Sequence, residues 1–247
     1  MATFPRIMQI PTTHLTNGTI MPRFGIGTWR MGERASAAQA EIAAIKAAIE
    51  RGVTLIDTAE MYGDGGAEEV IARAIAGGSG TSGARERLYI VSKVYPHNAS
   101  RKGVAAACER SLKRLGTDYL DCYLLHWPGE HPIAETVEAF ETLKSQGKIR
   151  AWGVSNFDTA EMQELVSVPN GKNAVTDQVL YNLSRRGVEF DLLPWQRERG
   201  ITTMAYSPID QAQLVASRKL TTIASETGAT PAQLAIAWLM QKPDVIV

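Results

Sequence analysis

Several features that mark particular classes of protein are scarce in this 247-residue sequence. It contains two cysteines, Cys108 in a helical pattern and Cys122 in an apolar strand pattern, so no disulfide framework is indicated and both are expected to be small buried hydrophobes. Lys plus Arg equals Asp plus Glu, at 26 each, which leaves no basic surplus to attract phosphate backbones or anionic lipid. We therefore expect the protein to bind neither nucleic acid nor a membrane surface.

Signals for export or membrane insertion are missing as well. No apolar stretch approaches the roughly 18 residues needed to cross a bilayer. Residues 1–15 lack the apolar core and the cleavage site of a signal peptide. These absences predict a cytoplasmic protein.

Two common site motifs are also absent. The glycine-rich segment 25–30, GIGTWR, does not fit the G-x-G-x-x-G pattern of dinucleotide-binding open sheets. His14, His97 and His131 have no neighbouring ligand types, and no pair of histidines has metal-ligand spacing such as H-E-x-x-H. The sequence therefore predicts no metal site.

What remains is an ordinary globular composition, 45% hydrophobic and 21% charged. The length fits one α/β barrel, so we expect a single domain over residues 1–247. The Gly/Ser-rich stretch 77–84 is expected to be a flexible connection between a helix and a strand.

Short runs rich in Val, Ile, Leu and Tyr alternate with stretches of helical periodicity, a pattern typical of βα units around a parallel sheet. Strands are predicted at 23–28, 53–57, 88–92, 119–125, 150–154, 174–179, 201–206 and 244–247. Helices are predicted at 36–51, 66–76, 100–115, 133–146, 158–166, 191–198, 218–227 and 231–241. Eight strands favour a closed (β/α)₈ TIM barrel over an open doubly wound sheet.

The two ends of the barrel carry further expectations. Asn17-Gly18 is a strong hairpin signal, and the segment from Leu15 to Met21 is expected to form a small β-hairpin that plugs one end of the barrel. The sequence stops at Val247, directly after the eighth predicted strand. We therefore expect a barrel without the C-terminal helix and tail that usually cover that strand.

Polar side chains collect at the ends of three neighbouring predicted strands. These strand ends supply Asp57 and Tyr62, then Lys93, then His126. The C-terminal ends of the strands form the working face of such a barrel, so these four residues are expected to meet and to be catalytic.

Together, these four groups suit the reduction of a carbonyl. A phenol near a cation has a lowered pKa, so Lys93 is expected to lower the pKa of Tyr62 by roughly a unit or two. Asp57 would hold Lys93, and a neutral His126 would donate a hydrogen bond to the carbonyl oxygen while Tyr62 protonates it. None of these side chains carries a hydride, so a nicotinamide or flavin cofactor is required.

Each of these residues also has a purely structural interpretation. Asp57 and Lys93 can form an ion pair at the barrel rim, Tyr62 can be a half-buried loop aromatic, and His126 can be a core histidine. Taken singly, each residue favours that interpretation. Their joint occurrence at neighbouring strand ends favours a site.

Six stretches resemble the aldo-keto reductases: IDTAEMYG (56–63), IVSK (90–93), DYLDCYLLHWP (118–128), GKIRAWGVSNF (147–157), QVLYNL (178–183) and AYSPI (205–209). The similarity is greatest to microbial members that reduce diketogluconate and methylglyoxal. The resemblance implies a (β/α)₈ barrel with NADPH across its C-terminal face and hydride transfer to a small aldehyde, ketone or dicarbonyl. By the same resemblance Tyr62 is the proton donor, Lys93 and Asp57 tune it, and His126 orients the substrate oxygen.

The resemblance also implies how the cofactor and substrate bind. The implied cofactor-binding residues are Gly27, Thr28, Asp57, Ser155, Asn156, Gln178, Tyr206, Ser207, Pro208 and Ile209. Among these, Ser155, Asn156 and Gln178 would hold the nicotinamide carboxamide, and Tyr206 would stack on the ring. The implied substrate-binding residues are Trp29, Tyr62, His126 and Trp127.

Several alternatives stay open at this point. Ser155-Asn156 can be the N-cap of the next helix, Tyr206 a core aromatic, and the two tryptophans rim packing. In the family that the sequence resembles, a segment after the eighth strand binds the 2′-phosphate of NADPH. The sequence stops before such a segment, so NADH stays open as the alternative cofactor. A monomeric reductase is the first functional hypothesis; a cofactor-binding regulatory or redox-sensing barrel with little turnover, or an inactive fragment, are the others.

Overall fold

The structure is a computed structural model, and it describes residues 9–76 and 84–247. The N-terminal residues 1–8 and nearly all of the connection predicted at 77–84 lie outside the described residues. No helix among the described residues is long and apolar enough to cross a membrane.

Ten strands and nine α-helices make up the described chain. The strands are β1 (Thr12–His14), β2 (Ile20–Pro22), β3 (Gly25–Gly27), β4 (Leu55–Asp57), β5 (Tyr89–Val94), β6 (Leu120–Leu125), β7 (Ile149–Ser155), β8 (Thr176–Leu180), β9 (Thr202–Tyr206) and β10 (Val245–Ile246). The helices are α1 (Ala38–Glu50), α2 (Gly66–Ala76), α3 (Ala84–Arg87), α4 (Arg101–Leu115), α5 (Ile133–Ser145), α6 (Thr159–Ser167), α7 (Leu192–Glu198), α8 (Arg218–Thr227) and α9 (Pro231–Met240).

Strands β3 to β10 form one parallel eight-stranded sheet in sequential order. Its two edges meet, because the Gly25 N–H donates to the Val247 carbonyl at 2.9 Å and the Val247 N–H donates to the Arg23 carbonyl at 2.9 Å. The Arg23 guanidinium adds a hydrogen bond to the Val245 carbonyl at 3.1 Å. The (β/α)₈ barrel predicted from eight alternating strands and helices is thereby confirmed.

Side chains that alternate along the strands fill the inside of the barrel. We call this set the interior cluster; it consists of Leu15, Met21, Leu55, Val91, Cys122, Leu124, Ala151, Val175, Met204 and Ile246. A larger apolar layer lies between the sheet and the surrounding helices, and Cys108 belongs to it. Both cysteines are buried and unpaired, as the sequence predicts.

The N-terminal hairpin, β1 paired with β2, supplies two members of the interior cluster. Leu15 and Met21 are 3% and 0% exposed and close one end of the barrel, which confirms the predicted plug. The turn differs from the two-residue type that Asn17-Gly18 favours. It spans residues 15–19, since His14 pairs with Ile20 and the Asn17 side chain accepts hydrogen bonds from Thr19 instead.

Shortening the buried side chain of the hairpin should destabilise the whole barrel. Met21→Ala leaves a cavity in the interior cluster, and we expect the free energy of unfolding to fall by about 2–5 kcal/mol. Ile20→Ala, the matched control one residue earlier on the exposed side of β2, should change it by less than about 0.5 kcal/mol. Urea unfolding of both variants checks this; equal losses would show that the hairpin does not seal the barrel.

Candidate active site

Strand alternation brings the polar residues of three neighbouring strands to one point. Asp57 ends β4 two positions after the interior residue Leu55. Lys93 and His126 likewise lie two positions beyond a member of the interior cluster, in β5 and directly after β6. Because alternate side chains share a face of the sheet, all three point into the barrel above the interior cluster.

The ammonium of Lys93 is the centre of this arrangement. Lys93 is fully buried, and its Nζ lies 2.8 Å from each carboxylate oxygen of Asp57 and 2.8 Å from the Thr58 carbonyl oxygen. The Tyr62 hydroxyl lies 3.4 Å from the same nitrogen. The sequence-predicted set is therefore assembled around one buried cation.

Burial and charge act in opposite directions on these groups. Burial alone would lower the pKa of Lys93, but the nearby Asp57 and Tyr62 raise it above its ordinary value, so the ammonium stays charged. Burial raises the pKa of Tyr62 and outweighs the lowering by Lys93. The net lowering expected from the sequence is therefore wrong, because burial has the larger effect, and Tyr62 is protonated at neutral pH.

His126 completes the group as a neutral imidazole. Burial, with a further contribution from Lys93, lowers its pKa to about 3. Its ring meets the Tyr62 ring edge-on at 5.7 Å between centroids and lies 4.8 Å from the Trp127 ring. The buried Nδ1 has no hydrogen-bond partner within the described part of the chain.

A pocket of about 750 Å³ opens over these residues at the C-terminal ends of the strands. Most of the sequence-predicted site residues line it: Gly27, Trp29, Asp57, Tyr62, His126, Trp127, Ser155, Asn156, Gln178, Tyr206, Ser207, Pro208 and Ile209. Two do not. Lys93 lies behind the wall, and Thr28 is fully buried, where its N–H and hydroxyl each donate to the Asp57 carbonyl at 3.0 Å.

A hydrogen-bonded network forms the far wall of the pocket. The Tyr206 hydroxyl donates to Asn156 Oδ1 at 2.8 Å, and Asn156 Nδ2 donates to the His126 carbonyl at 3.0 Å. The Ser155 hydroxyl donates to the Gln178 carbonyl at 2.8 Å. Asp158, with its capping box, caps helix α6, so the alternative that Ser155-Asn156 is the N-cap is wrong.

Gln178 links this wall to the buried ion pair. Its Nε2 donates to Asp57 Oδ1 at 2.7 Å and approaches the Met204 sulfur at 3.9 Å. The resemblance assigned Gln178 to the cofactor, but it gave no contact with Asp57. The structure therefore places a bridge across the barrel mouth that sequence reasoning missed.

Both predicted tryptophans border the pocket. Trp29 is 47% exposed, with the Arg30 guanidinium 4.5 Å from its ring centroid. Trp127 packs edge-on against Tyr95 at 5.5 Å between centroids. Both rings line the cavity, so neither is confined to rim packing.

Sequence reasoning missed several apolar lining residues. These include Phe24, Ile26, Leu55, Met61, Met204, Ala205 and Ile246. Their positions next to predicted site residues could have identified some of them. Met61 directly precedes Tyr62, and Met204 lies two residues before Tyr206 on the same face of β9. Across residues 9–76 and 84–247, no cluster of three or more His, Cys, Asp or Glu side chains could hold a metal ion.

Comparison with known proteins gives consistent matches. A sequence profile of the Aldo/keto reductase family matches residues 23–247. The methylglyoxal reductase YeaE of Escherichia coli (strain K12) is 48% identical over 244 residues, which cover 97% of this chain and 84% of that protein. The glyoxal reductase of Bacillus subtilis (strain 168) is 38% identical over 230 residues, 93% of this chain and 79% of that protein. A Klebsiella pneumoniae aldo-keto reductase solved with NADPH superposes with a TM-score of 0.90 at 48% identity, over 97% of this chain and 84% of that chain.

The lowered pKa of His126 predicts a specific loss of stability in acid. Between pH 6.5 and about 3 the unfolded chain protonates this histidine and the folded chain does not, so the free energy of unfolding falls as the pH falls. From pH 7 to pH 5 the contribution of His126 is about 2 kcal/mol. Urea unfolding of the wild type and of His126→Gln at both pH values isolates it, because the other titrating groups are shared. Parallel pH dependence in the two proteins would contradict the neutral buried state.

Proposed function

Because the chain belongs to the aldo/keto reductase family, we propose that it reduces aldehyde, ketone or dicarbonyl groups of small molecules to alcohols with NADPH. One observation of the structure carries the proposal: the buried ammonium of Lys93 contacts both Asp57 and Tyr62 beside a neutral His126 that faces a pocket. The similarity to a methylglyoxal reductase and a glyoxal reductase favours small dicarbonyls as substrates.

The polar groups of the pocket fit a nicotinamide cofactor. Ser155, Asn156 and Gln178 offer hydroxyl and amide groups, which provide both donors and acceptors for a carboxamide. Tyr206 offers a flat ring, and Ser207 to Ile209 continue along the same wall. When bound, NADPH supplies the hydride that no side chain of this protein can provide.

His126 and Tyr62 would act on the carbonyl oxygen. With Nδ1 buried, the tautomer that carries its proton on Nε2 presents an N–H donor to the pocket, and it stays neutral because its pKa is about 3. That donor would hold the substrate oxygen as negative charge develops. Tyr62, protonated at neutral pH, would then transfer its hydroxyl proton to this oxygen.

Lys93 and Asp57 would act through Tyr62. As the phenol loses its proton, the ammonium 3.4 Å away stabilises the phenolate in a site from which bulk water is largely excluded. Asp57 keeps the ammonium charged and fixed in place. Trp29 and Trp127 would form apolar walls that limit water around the carbonyl.

Several finer points belong to the same proposal. We propose a single barrel domain that acts as a cytoplasmic monomer, with neither nucleic acid nor membrane as a partner; the balanced charge of the sequence supports the absence of such partners. A regulatory barrel with little turnover is not favoured, because the proton donor, the cation and the oxygen-binding group are all assembled at one pocket.

Removing the proton donor should abolish turnover without preventing cofactor binding. Tyr62→Phe keeps the ring but deletes the hydroxyl, and we expect kcat for methylglyoxal reduction to fall by roughly 10²- to 10⁴-fold. NADPH binding, followed by its fluorescence, should be unchanged. Tyr89→Phe is the matched control, since Tyr89 packs against the interior cluster at the opposite end of β5 and should keep full activity. Substantial turnover by Tyr62→Phe would refute the assigned role.

The choice of cofactor gives a separate test. Turnover of methylglyoxal, glyoxal and a simple aldehyde should be faster with NADPH than with NADH at equal concentration. The reason is that aldo-keto reductases similar to this chain have been solved with NADP or NADPH bound. Equal or faster turnover with NADH would overturn the NADPH assignment while leaving carbonyl reduction intact.

A further inference from the structure

Glu60 is a buried carboxylate that has no role in the reaction proposed above. It is 7% exposed, lies two residues before Tyr62, and is not part of the pocket wall. Its Oε1 accepts hydrogen bonds from the Tyr95 N–H at 2.8 Å and from Asn98 Nδ2 at 3.0 Å. Its Oε2 accepts one from the Arg110 guanidinium at 3.2 Å. A buried carboxylate is costly unless it is satisfied in this way, so the contacts hold Glu60 firmly in one place.

The donors that hold Glu60 belong to the segment that also carries Lys93. Tyr95 and Asn98 follow β5 directly, and Arg110 lies in helix α4, which comes next in the chain. The Glu60 N–H also donates to the Lys93 carbonyl at 3.3 Å. Glu60 therefore joins the segment that carries Tyr62 to the strand that carries Lys93.

The chain just after Tyr62 includes one residue with a side chain in an uncommon backbone conformation. Gly63, Asp64 and Gly65 have φ values of +58°, +54° and +91°, and the left-handed region is uncommon for a residue with a side chain, such as Asp64. The distance of 3.4 Å between the Tyr62 hydroxyl and Lys93 Nζ is already at the long end for a hydrogen bond. A small shift of the segment would therefore break this contact.

We propose that Glu60 is a positioning residue for the reaction: its carboxylate holds the segment 58–65 so that the Tyr62 hydroxyl stays in contact with Lys93. The same carboxylate fixes the backbone of Tyr95, whose ring packs against Trp127 on the pocket wall. Glu60 thus sets the position of the proton donor and supports one wall of the substrate pocket. This inference rests on the proposed carbonyl reduction.

The experiment compares Glu60→Ala and Glu60→Gln in methylglyoxal reduction with NADPH across pH. Glu60→Ala should lower kcat by roughly 10- to 100-fold through misplacement of the donor, with KM for NADPH unchanged. Glu60→Gln keeps an oxygen that accepts a hydrogen bond from the Tyr95 N–H, so this variant should retain most of the wild-type kcat.

The basic limb of the kcat profile provides a readout that a purely structural role would not move. This limb reports the pKa of Tyr62 in the ternary complex, since reduction needs the protonated phenol. The charged groups that act on Tyr62 are Lys93, which lowers its pKa, and Asp57, which raises it, while His126 is neutral. If Tyr62 moves away from Lys93 in Glu60→Ala, it loses the lowering of its pKa by Lys93. The basic limb of the kcat profile of this variant then shifts to higher pH.

A matched control separates positioning from stability. Asp121 is another buried carboxylate with a backbone N–H donor, from Ile90 at 2.9 Å, and guanidinium partners, Arg85 and Arg150, but it lies near the start of β6, at the other end of the barrel. Asp121→Ala should lower the thermal midpoint as Glu60→Ala does, while it leaves kcat and the basic limb unchanged.

The possible outcomes are distinct. Wild-type kcat in Glu60→Ala, or a lower kcat with an unmoved basic limb, would overturn the positioning role, whereas an inactive wild type would overturn the proposed function itself. Should Glu60→Ala not fold, Asn98→Ala and Arg110→Met each remove one donor. Smaller losses of kcat with the same shift would then support the role, and wild-type behaviour of both would overturn it.

Discussion

The side chain of Lys93 is fully buried, so neighbouring groups must balance the charge of its ammonium. An unpaired charge in such a place costs several kcal/mol, and breaking a buried pair is strongly destabilising. Asp57 and the Thr58 carbonyl meet this need and thereby join β4 to β5 at the pocket. Since Gln178 donates to the same carboxylate, one ion pair also connects the side of the pocket that we propose donates the proton with the side that we propose holds the cofactor.

Burial opposes the effect of neighbouring charge on the pKa of Lys93 and on that of Tyr62, but it acts in the same direction as the charge of Lys93 at His126. Asp57 is close enough to keep Lys93 charged, whereas Tyr62 is far enough from Lys93 for burial to keep the phenol protonated. Burial and the charge of Lys93 keep His126 neutral. These three protonation states are the ones that a proton donor, its stabilising cation and an N–H donor to oxygen require.

The barrel and the meeting of three polar side chains were predictable because strand periodicity fixes which side chains face inward, whereas most other pocket residues were implied by the resemblance to the family. Once β4, β5 and β6 are placed, Asp57, Lys93 and His126 must converge. What failed depended on burial and on distances between segments. The sequence predicts a lower pKa for Tyr62 from its nearness to Lys93. Burial raises the pKa by more, and that burial cannot be seen in the sequence. The hairpin turn was longer than Asn17-Gly18 suggests, and neither the Gln178–Asp57 bridge nor the donors around Glu60 have a local sequence signal.

We propose that Lys93 acts on the reaction through Tyr62, and a double-mutant cycle tests this role most directly. Single-turnover rates of hydride transfer to methylglyoxal would be measured for the wild type, Lys93→Met, Tyr62→Phe and the double variant. Residues that act as one unit show strongly non-additive losses. We predict that losing Lys93 slows the wild type severely but slows Tyr62→Phe by little. Equal slowing in the two backgrounds would contradict the account.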